Sequence, residues 1–290
     1  MSEPAAPRMA TDRVVVDYCL AVTVLVAVTG RGSGLPLALR AGEHLAIAAL
    51  VVLVARLDRG GERSASRWLH RWLPMIALPW LYAAAGELRR IVVGRDFDPL
   101  VAGWDAALFP GEWYRIGARL PGLALELAHA AYASYYLLLF VPALVAERRR
   151  PREVERYLLA VTVTLLAHYA LNFLFPVHGP QVRDELAGRG FLFVPVMNAI
   201  YFAFDRGGLA FPSTHVAASL VAAAFAGRFF PRRRALYALW FALIAVSTVV
   251  CGYHYPIDVP AGIATGALAW WLFRGKGVDD RRAEPGPAPH

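Results

Sequence analysis

The sequence predicts an all-α fold: a polytopic bundle of transmembrane helices with one further helix lying in the membrane interface. Three observations carry this. The 290 residues are 58% hydrophobic and only 18% charged, against about 45–50% and about 25% in a soluble domain, so part of the apolar surface must face lipid. The apolar residues fall in runs long enough to cross a bilayer, for which roughly 17–25 residues are needed. The charges sit between those runs, and all but one (Lys276) of the 30 basic residues are arginine.

Eight apolar segments follow in order, near residues 14–30, 36–57, 68–88, 121–146, 153–175, 209–229, 234–252 and 256–274. Arg31-Gly-Ser-Gly follows the first, rather than a small-residue cleavage site, so this segment is expected to stay as an anchor. The second carries Arg40, Glu43 and His44, and the third is interrupted by Pro74 and Pro79. The last five are read as spanning helices. Residues 1–12 and 277–290 read as disordered tails around a single membrane domain over 13–276, with a catalytic core over about 121–274. Cys19 and Cys251 lie within apolar runs and read as small buried side chains.

Between the third and fourth segments, residues 96–119 place Phe97, Leu100, Val101, Trp104, Leu108 and Phe109 at near-helical spacing with acids between them. That pattern predicts a helix in the interface, its tryptophans at headgroup depth. With the N-terminus on one side, the tails and connections put 20 basic residues on that side and 10 on the other. The asymmetry predicts a multi-pass protein of the cell membrane with cytoplasmic termini. The runs Arg148–Arg150 and Arg232–Arg234 then act as cytoplasmic anchors. The net charge of +8 is met by anionic lipid headgroups, and no nucleic-acid partner is expected.

Three stretches place titratable groups beside membrane helices, all on the side opposite the termini and hence on the outer face. They are Phe175-Pro-Val-His-Gly-Pro-Gln-Val-Arg183, Asp205-Arg-Gly-Gly-Leu-Ala-Phe-Pro-Ser-Thr-His215 and Tyr253-His-Tyr-Pro-Ile-Asp258. In the second, Pro212 suits the first turn of a helix, where Ser213 and Thr214 fall among unpaired N–H groups that attract an anion. Gly207 and Gly208 allow close backbone approach, and Arg206 offers a forked cation for phosphate. His215 is within a turn of that anion. In the third, His254 and Asp258 are spaced i, i+4, so the carboxylate holds one imidazole nitrogen and leaves the other as nucleophile or base.

Pro212-Ser213-x-His215 followed by Ser247-x6-His254-x3-Asp258 resembles the second and third signatures of the type 2 phosphatidic acid phosphatase superfamily. The likeness covers about residues 155–274. Gly-Leu-Ala-Phe-Pro-Ser-Thr-His-Val, His-Tyr-Pro-Ile-Asp-Val and the upstream Trp104-Asp105…Leu108-Phe109 are similar to the branch that contains inositol phosphorylceramide synthase. The resemblance implies a six-helix phosphatase-like core and an enzyme acting on a lipid phosphate ester, with water or an alcohol as acceptor and membrane lipids as its surroundings. It implies that His254 attacks phosphorus to form a phosphohistidine, that Asp258 holds its ring, that His215 protonates the leaving oxygen and that Ser213 binds the phosphoryl group. The scheme implies no metal and no other cofactor.

Two departures from the pattern stand out. Thr248 follows Ser247 where the phosphatase pattern has arginine, and Gln181 follows Gly179-Pro180 where relatives in the branch carry arginine. The phosphate-binding set is therefore expected to be Ser213, Thr214, Gly208 and a cation, Arg206 or Arg183. His178, Gln181 and Asp105 are expected substrate contacts. His129 (near Glu126) and His168 (near Asn172) are read as satisfied interhelical bonds, and Tyr132, Tyr135 and Tyr136 as helix packing or a lipid groove. Two other readings stay open: a zinc site on His178, His215 and His254 backed by Asp258, and a non-catalytic lipid-phosphate-binding protein or transporter.

Overall fold

The structure, a computed structural model, describes residues 10–30, 34–58, 64–186 and 188–275; the side chains of residues 34, 35, 64, 65, 183 and 184 lie outside that description. The expected tails fall outside it too, except that helix α1 (Ala10–Thr29) already begins at Ala10. Then come α2 (Gly34–Leu57) and α3 (Ser64–Val92). Pro74 and Pro79 lie inside α3, which runs on for 29 residues without a break. Proline is tolerated in a membrane helix because packed neighbours re-satisfy the freed backbone, and α3 is packed against α7 (Pro151–Leu174) and α2.

The interfacial stretch forms one helix and two short pieces. Helix α4 covers Asp98–Leu108, a turn passes Gly111 at φ 112°, and a 3-10 turn at Trp113–Arg115 leads into α5 (Ile116–Arg119). The expected single helix is broken at Leu108, ahead of Pro110, which has no backbone N–H to donate and disfavours helical backbone at Phe109. Helix α6 (Gly122–Ala146) and α7 then cross, followed by the four-residue α8 (Arg183–Leu186).

One element was not expected. Phe193–Phe204 is an apolar helix, α9, of 12 residues, too short to register as a spanning run. Its exposed N-terminal amides are capped from another helix: the Glu126 carboxylate of α6 accepts the N–H groups of Phe191 (2.6 Å), Leu192 (3.1 Å), Phe193 (2.7 Å) and Val194 (3.4 Å). A carboxylate at a helix N-terminus satisfies orphan donors and complements the helix dipole.

The last three helices are α10 (Thr214–Phe229), α11 (Arg234–Val250) and α12 (Asp258–Phe273). The sixth and eighth apolar runs were expected to be helical from residues 209 and 256. Instead each gives up its first residues to a loop, joined on one side by the bridge between Val177 and Leu209. Pro212 accordingly precedes the first turn of α10 rather than entering it, and Ser213 is the N-cap, accepting the Val216 N–H at 3.3 Å.

Four described helices are long and apolar enough to cross a membrane by themselves: Pro36–Leu57, Gly122–Ala146, Pro151–Leu174 and Pro231–Val250. The chain is therefore a multi-pass membrane protein. Helix α12 lies directly on α10 because two glycines one turn apart face its backbone. A Cβ at Gly262 would stand 2.7 Å from the Ser213 carbonyl oxygen, and one at Gly266 2.7 Å from that of Ala217. Small residues at this spacing let membrane helices touch backbone to backbone. Replacing Gly266 by Leu is expected to force the pair apart and lower the melting temperature in detergent by several degrees, with a cost of about 1–3 kcal/mol or more; thermal unfolding followed by tryptophan fluorescence checks this.

Candidate active site

The contact between α10 and α12 sets the register of the second and third motifs. Ser213 N–H donates to the Asp258 carbonyl at 3.2 Å, so the two helix starts are tied together. The Asp258 carboxylate, fully buried, accepts His254 Nδ1–H and the Tyr255 N–H, both at 3.0 Å. With Nδ1 the donor, the neutral ring carries its lone pair on Nε2. There Nε2 accepts the Ser213 hydroxyl at 3.1 Å. The ring of His215 faces it across the gap, with centroids 6.2 Å apart.

Both imidazoles line one polar cavity of about 450 Å³. His215 is held from behind by tyrosines: Tyr132 Oη lies 3.1 Å from Nε2 and 3.2 Å from Nδ1, and the Tyr135 ring is 4.6 Å from the imidazole centroid. Tyr132 Oη also meets Tyr201 Oη at 2.6 Å, and Tyr201 stacks on Tyr253 at 4.6 Å. The tyrosines of α6, read from the sequence as helix packing or a lipid groove, thus include direct neighbours of His215.

The cavity's cations are Arg89, Arg90 and Arg206. Arg89 is buried and paired with Asp96 at 2.7 Å. Its guanidinium lies in the space that a Cβ on Gly208 would occupy. Gly207 and Gly208 have φ of 75° and 81°, a region open to glycine at little cost, and their lack of side chains lets the Arg89 fork lie along the loop. Arg206 is more exposed, 3.7 Å from Glu87 and bonded to the Phe202 carbonyl at 3.1 Å. Arg89, Arg90, Glu87, Tyr82 and Tyr201 were not anticipated. The one sign in the sequence was that Arg89-Arg90 ends the third apolar run on the same side as the three motifs.

The other expected residues divide. His178, Gln181 and Gly208 line the cavity; His178 Nε2 is 3.4 Å from Asp96, and Gln181, at φ 51°, donates to the His178 carbonyl at 3.1 Å. Ser213 and Thr214 lie behind it. Thr214 is within 3.4 Å of His168 Nδ1, accepts Asn172 Nδ2–H at 3.3 Å and borders a second, apolar groove. Arg183 opens α8, its side chain outside the described residues.

Asp105 is away from the cavity as well. It is buried and accepts the Ile257 N–H at 2.9 Å, bracing the loop that carries His254. Burial pushes its carboxyl above the ordinary carboxylate value, partly offset by that bond. Asp98, two turns earlier on the same face of α4, accepts the N–H groups of His178 (2.9 Å) and Gly179 (3.1 Å). Phe97 stacks on Phe175 at 4.3 Å, completing the clamp.

His168 bonds across to Thr265 at 3.0 Å and His129 Nδ1 donates to the Leu125 carbonyl at 2.9 Å, with Cys251 Sγ at 3.5 Å. Both are satisfied within the bundle. Among the described residues no three His, Cys, Asp or Glu side chains are arranged to hold a metal ion, so His178, His215 and His254 do not form the zinc geometry.

The helical bundle thus gathers two imidazoles, a bracing carboxylate and three arginines around one polar cavity, an arrangement with the chemistry to receive an anion beside a histidine. A family model described as the PAP2 superfamily matches residues 112–272, more than half of the chain, and the chain belongs to that superfamily. A lipid A 4'-phosphatase of Bacteroides thetaiotaomicron is 30% identical over 119 residues, which are 40% of this chain and 50% of that protein. The chain thus spans half the length of the curated relative. No solved structure matches.

If Arg89 is the principal anion ligand, Arg89→Gln weakens inhibition by orthovanadate about tenfold to hundredfold, the worth of a charged hydrogen bond. The more exposed Arg206→Gln weakens it less. Equal effects would contradict the assignment.

Proposed function

We propose that the protein is a membrane lipid phosphatase that cleaves a lipid phosphate ester through a phosphohistidine on His254. The observation that carries this reading is the pair of imidazoles from separate helix ends, 6.2 Å apart on one cavity, with His254 oriented by Asp258 through Nδ1. Family membership and the named activity of the Bacteroides thetaiotaomicron relative support it.

His254 Nε2 attacks phosphorus once the Ser213 hydroxyl turns from it toward a phosphoryl oxygen. The N–P bond forms, the P–O bond to the lipid breaks, and the departing electron pair on oxygen takes a proton from His215. Water then attacks phosphorus and gives its proton to His215. The N–P bond breaks, its electrons return to Nε2, and phosphate is released. Arg89 and Arg206, with the Gly207–Gly208 backbone, stabilise the negative oxygens in transit. The arginine missing after Ser247 is replaced by Arg89, arriving from α3.

The substrate is a lipid on this reading because an apolar groove of about 290 Å³ shares Tyr82, Tyr201, Asp205 and His215 with the polar cavity. A chain lying along Leu78, Phe140 and Phe204 brings its oxygen to His215, the acid. Transfer to an alcohol, as in the inositol phosphorylceramide synthase branch, is the second reading. It is favoured by a cavity roomier than phosphate needs, which carries Glu87, Asp205 and Gln181 as hydroxyl partners.

The arginine asymmetry supports cytoplasmic termini and a cavity on the outer face. A cysteine replacing the exposed Phe191, in the loop that precedes α9, is then labelled by an impermeant thiol reagent in intact cells; labelling only after lysis reverses the orientation.

Purified protein in detergent is expected to release phosphate from a lipid phosphate, and His254→Ala to abolish this by about a thousandfold or more. His215→Ala loses about 10²–10⁴-fold on lipid phosphate but little on p-nitrophenyl phosphate, whose leaving group needs no acid. Equal loss on both esters removes the general-acid role.

A further inference from the structure

A further groove, of about 650 Å³, lies between α2, α3 and α9 and touches the candidate active site through Glu87 and Arg206, which border both cavities. Its floor is apolar, and Leu50, Ile76 and Trp80 along it are exposed at the lipid-facing surface. Its polar end holds the three residues that made the second apolar run unusual: Arg40, Glu43 and His44.

His44 is fully buried. Its Nδ1 lies 2.8 Å from the Arg40 carbonyl oxygen, which only accepts, so Nδ1 carries the proton. The neutral ring then keeps a lone pair on Nε2, and Nε2 is buried without a hydrogen-bond partner among the described residues. Beside it, at 6.2 Å between ring centroids, Tyr18 of α1 has a buried hydroxyl that likewise lacks a partner. Each buried group left unpaired costs about 1–3 kcal/mol. A hydroxyl donating to Nε2 meets the His44 acceptor, and its oxygen can in turn accept from a donor such as the Tyr18 hydroxyl.

The charges at the rim narrow the class further. Arg40 pairs with Glu43 at 2.7 Å and Arg206 with Glu87 at 3.7 Å, so the rim is two cations against two acids. It offers no excess positive charge for a phosphate headgroup, in contrast to the cavity next door. We propose that this groove binds a neutral lipid alcohol, its hydroxyl on His44 Nε2 and its chains along Leu50, Ile76 and Trp80. As a docking place beside the phosphate cavity it serves the dephosphorylated product or a waiting acceptor, a role that rests on the phosphatase reading although the binding itself does not.

The test uses the full chain in phosphatidylcholine nanodiscs with a diacylglycerol that carries a diazirine in one acyl chain. After illumination, crosslinks are expected on peptides of α2 and α3. Excess dioleoylglycerol should suppress them, and the same lipid with its hydroxyl acetylated should not. His44→Phe is expected to cut labelling about three- to tenfold, the worth of one neutral hydrogen bond. Tyr18→Phe, a near-isosteric change, is expected to reduce it by a smaller factor. Both variants should retain hydrolysis of lipid phosphate. Equal competition by the acetylated lipid, labelling unchanged in both variants, or crosslinks confined to other helices would overturn the proposal. Alcohol-specific labelling in a protein that hydrolyses no lipid phosphate would uphold the groove and defeat the phosphatase reading instead.

Discussion

The close contact of α12 with α10 governs the rest of the site. Gly262 and Gly266 present bare backbone to Ser213 and Ala217, and no larger side chain fits there without moving a helix. In lipid, where apolar surface gives helices little reason to associate, such packing supplies the attraction. Its register also decides the chemistry. Ser213 N–H meets the Asp258 carbonyl, Ser213 Oγ meets His254 Nε2, and His215, two residues on, faces His254 across the cavity. A sliding of one turn, about 5 Å, would separate every one of these pairs.

Carboxylates hold the loops around that contact. Asp98 fixes the turn bearing His178, Asp105 the turn bearing His254, and Glu126 the start of α9, from which Tyr201 reaches the cavity. Each accepts backbone N–H groups rather than facing the cavity. These three carboxylates are thus held by amides behind the loops, while Arg89, Arg90 and Arg206 share the cavity wall with Glu87 and Asp205. Such division favours a phosphate oxygen entering a site whose dipoles are already oriented, so little reorganisation is needed when charge develops.

What could be read from the sequence follows the range of the interactions. His254 and Asp258 are joined within one helical turn, and Ser213 caps its own helix, so spacing alone reveals both. The expected bundle of apolar helices and the interfacial position of α4 are likewise local properties of pattern. Arg89 is different: it lies more than 100 residues before Gly208, and only the packing of α3 brings them together. Arg206, beside the motif in sequence, lines the cavity with Glu87 3.7 Å away. Asp105, expected as a substrate contact, instead accepts a backbone N–H from a distant loop, a partner that no local spacing reveals. Helix α9 escaped notice since 12 residues fall short of a span.

The account stands most directly on the covalent intermediate. Rapid acid-free quenching of the protein with ³²P-labelled lipid phosphate, followed by alkaline digestion and mass spectrometry, should find an acid-labile phosphoryl group on the peptide containing His254, absent from His254→Ala and longer-lived in His215→Ala. Steady turnover with no label on His254, or with label on another residue, would contradict it.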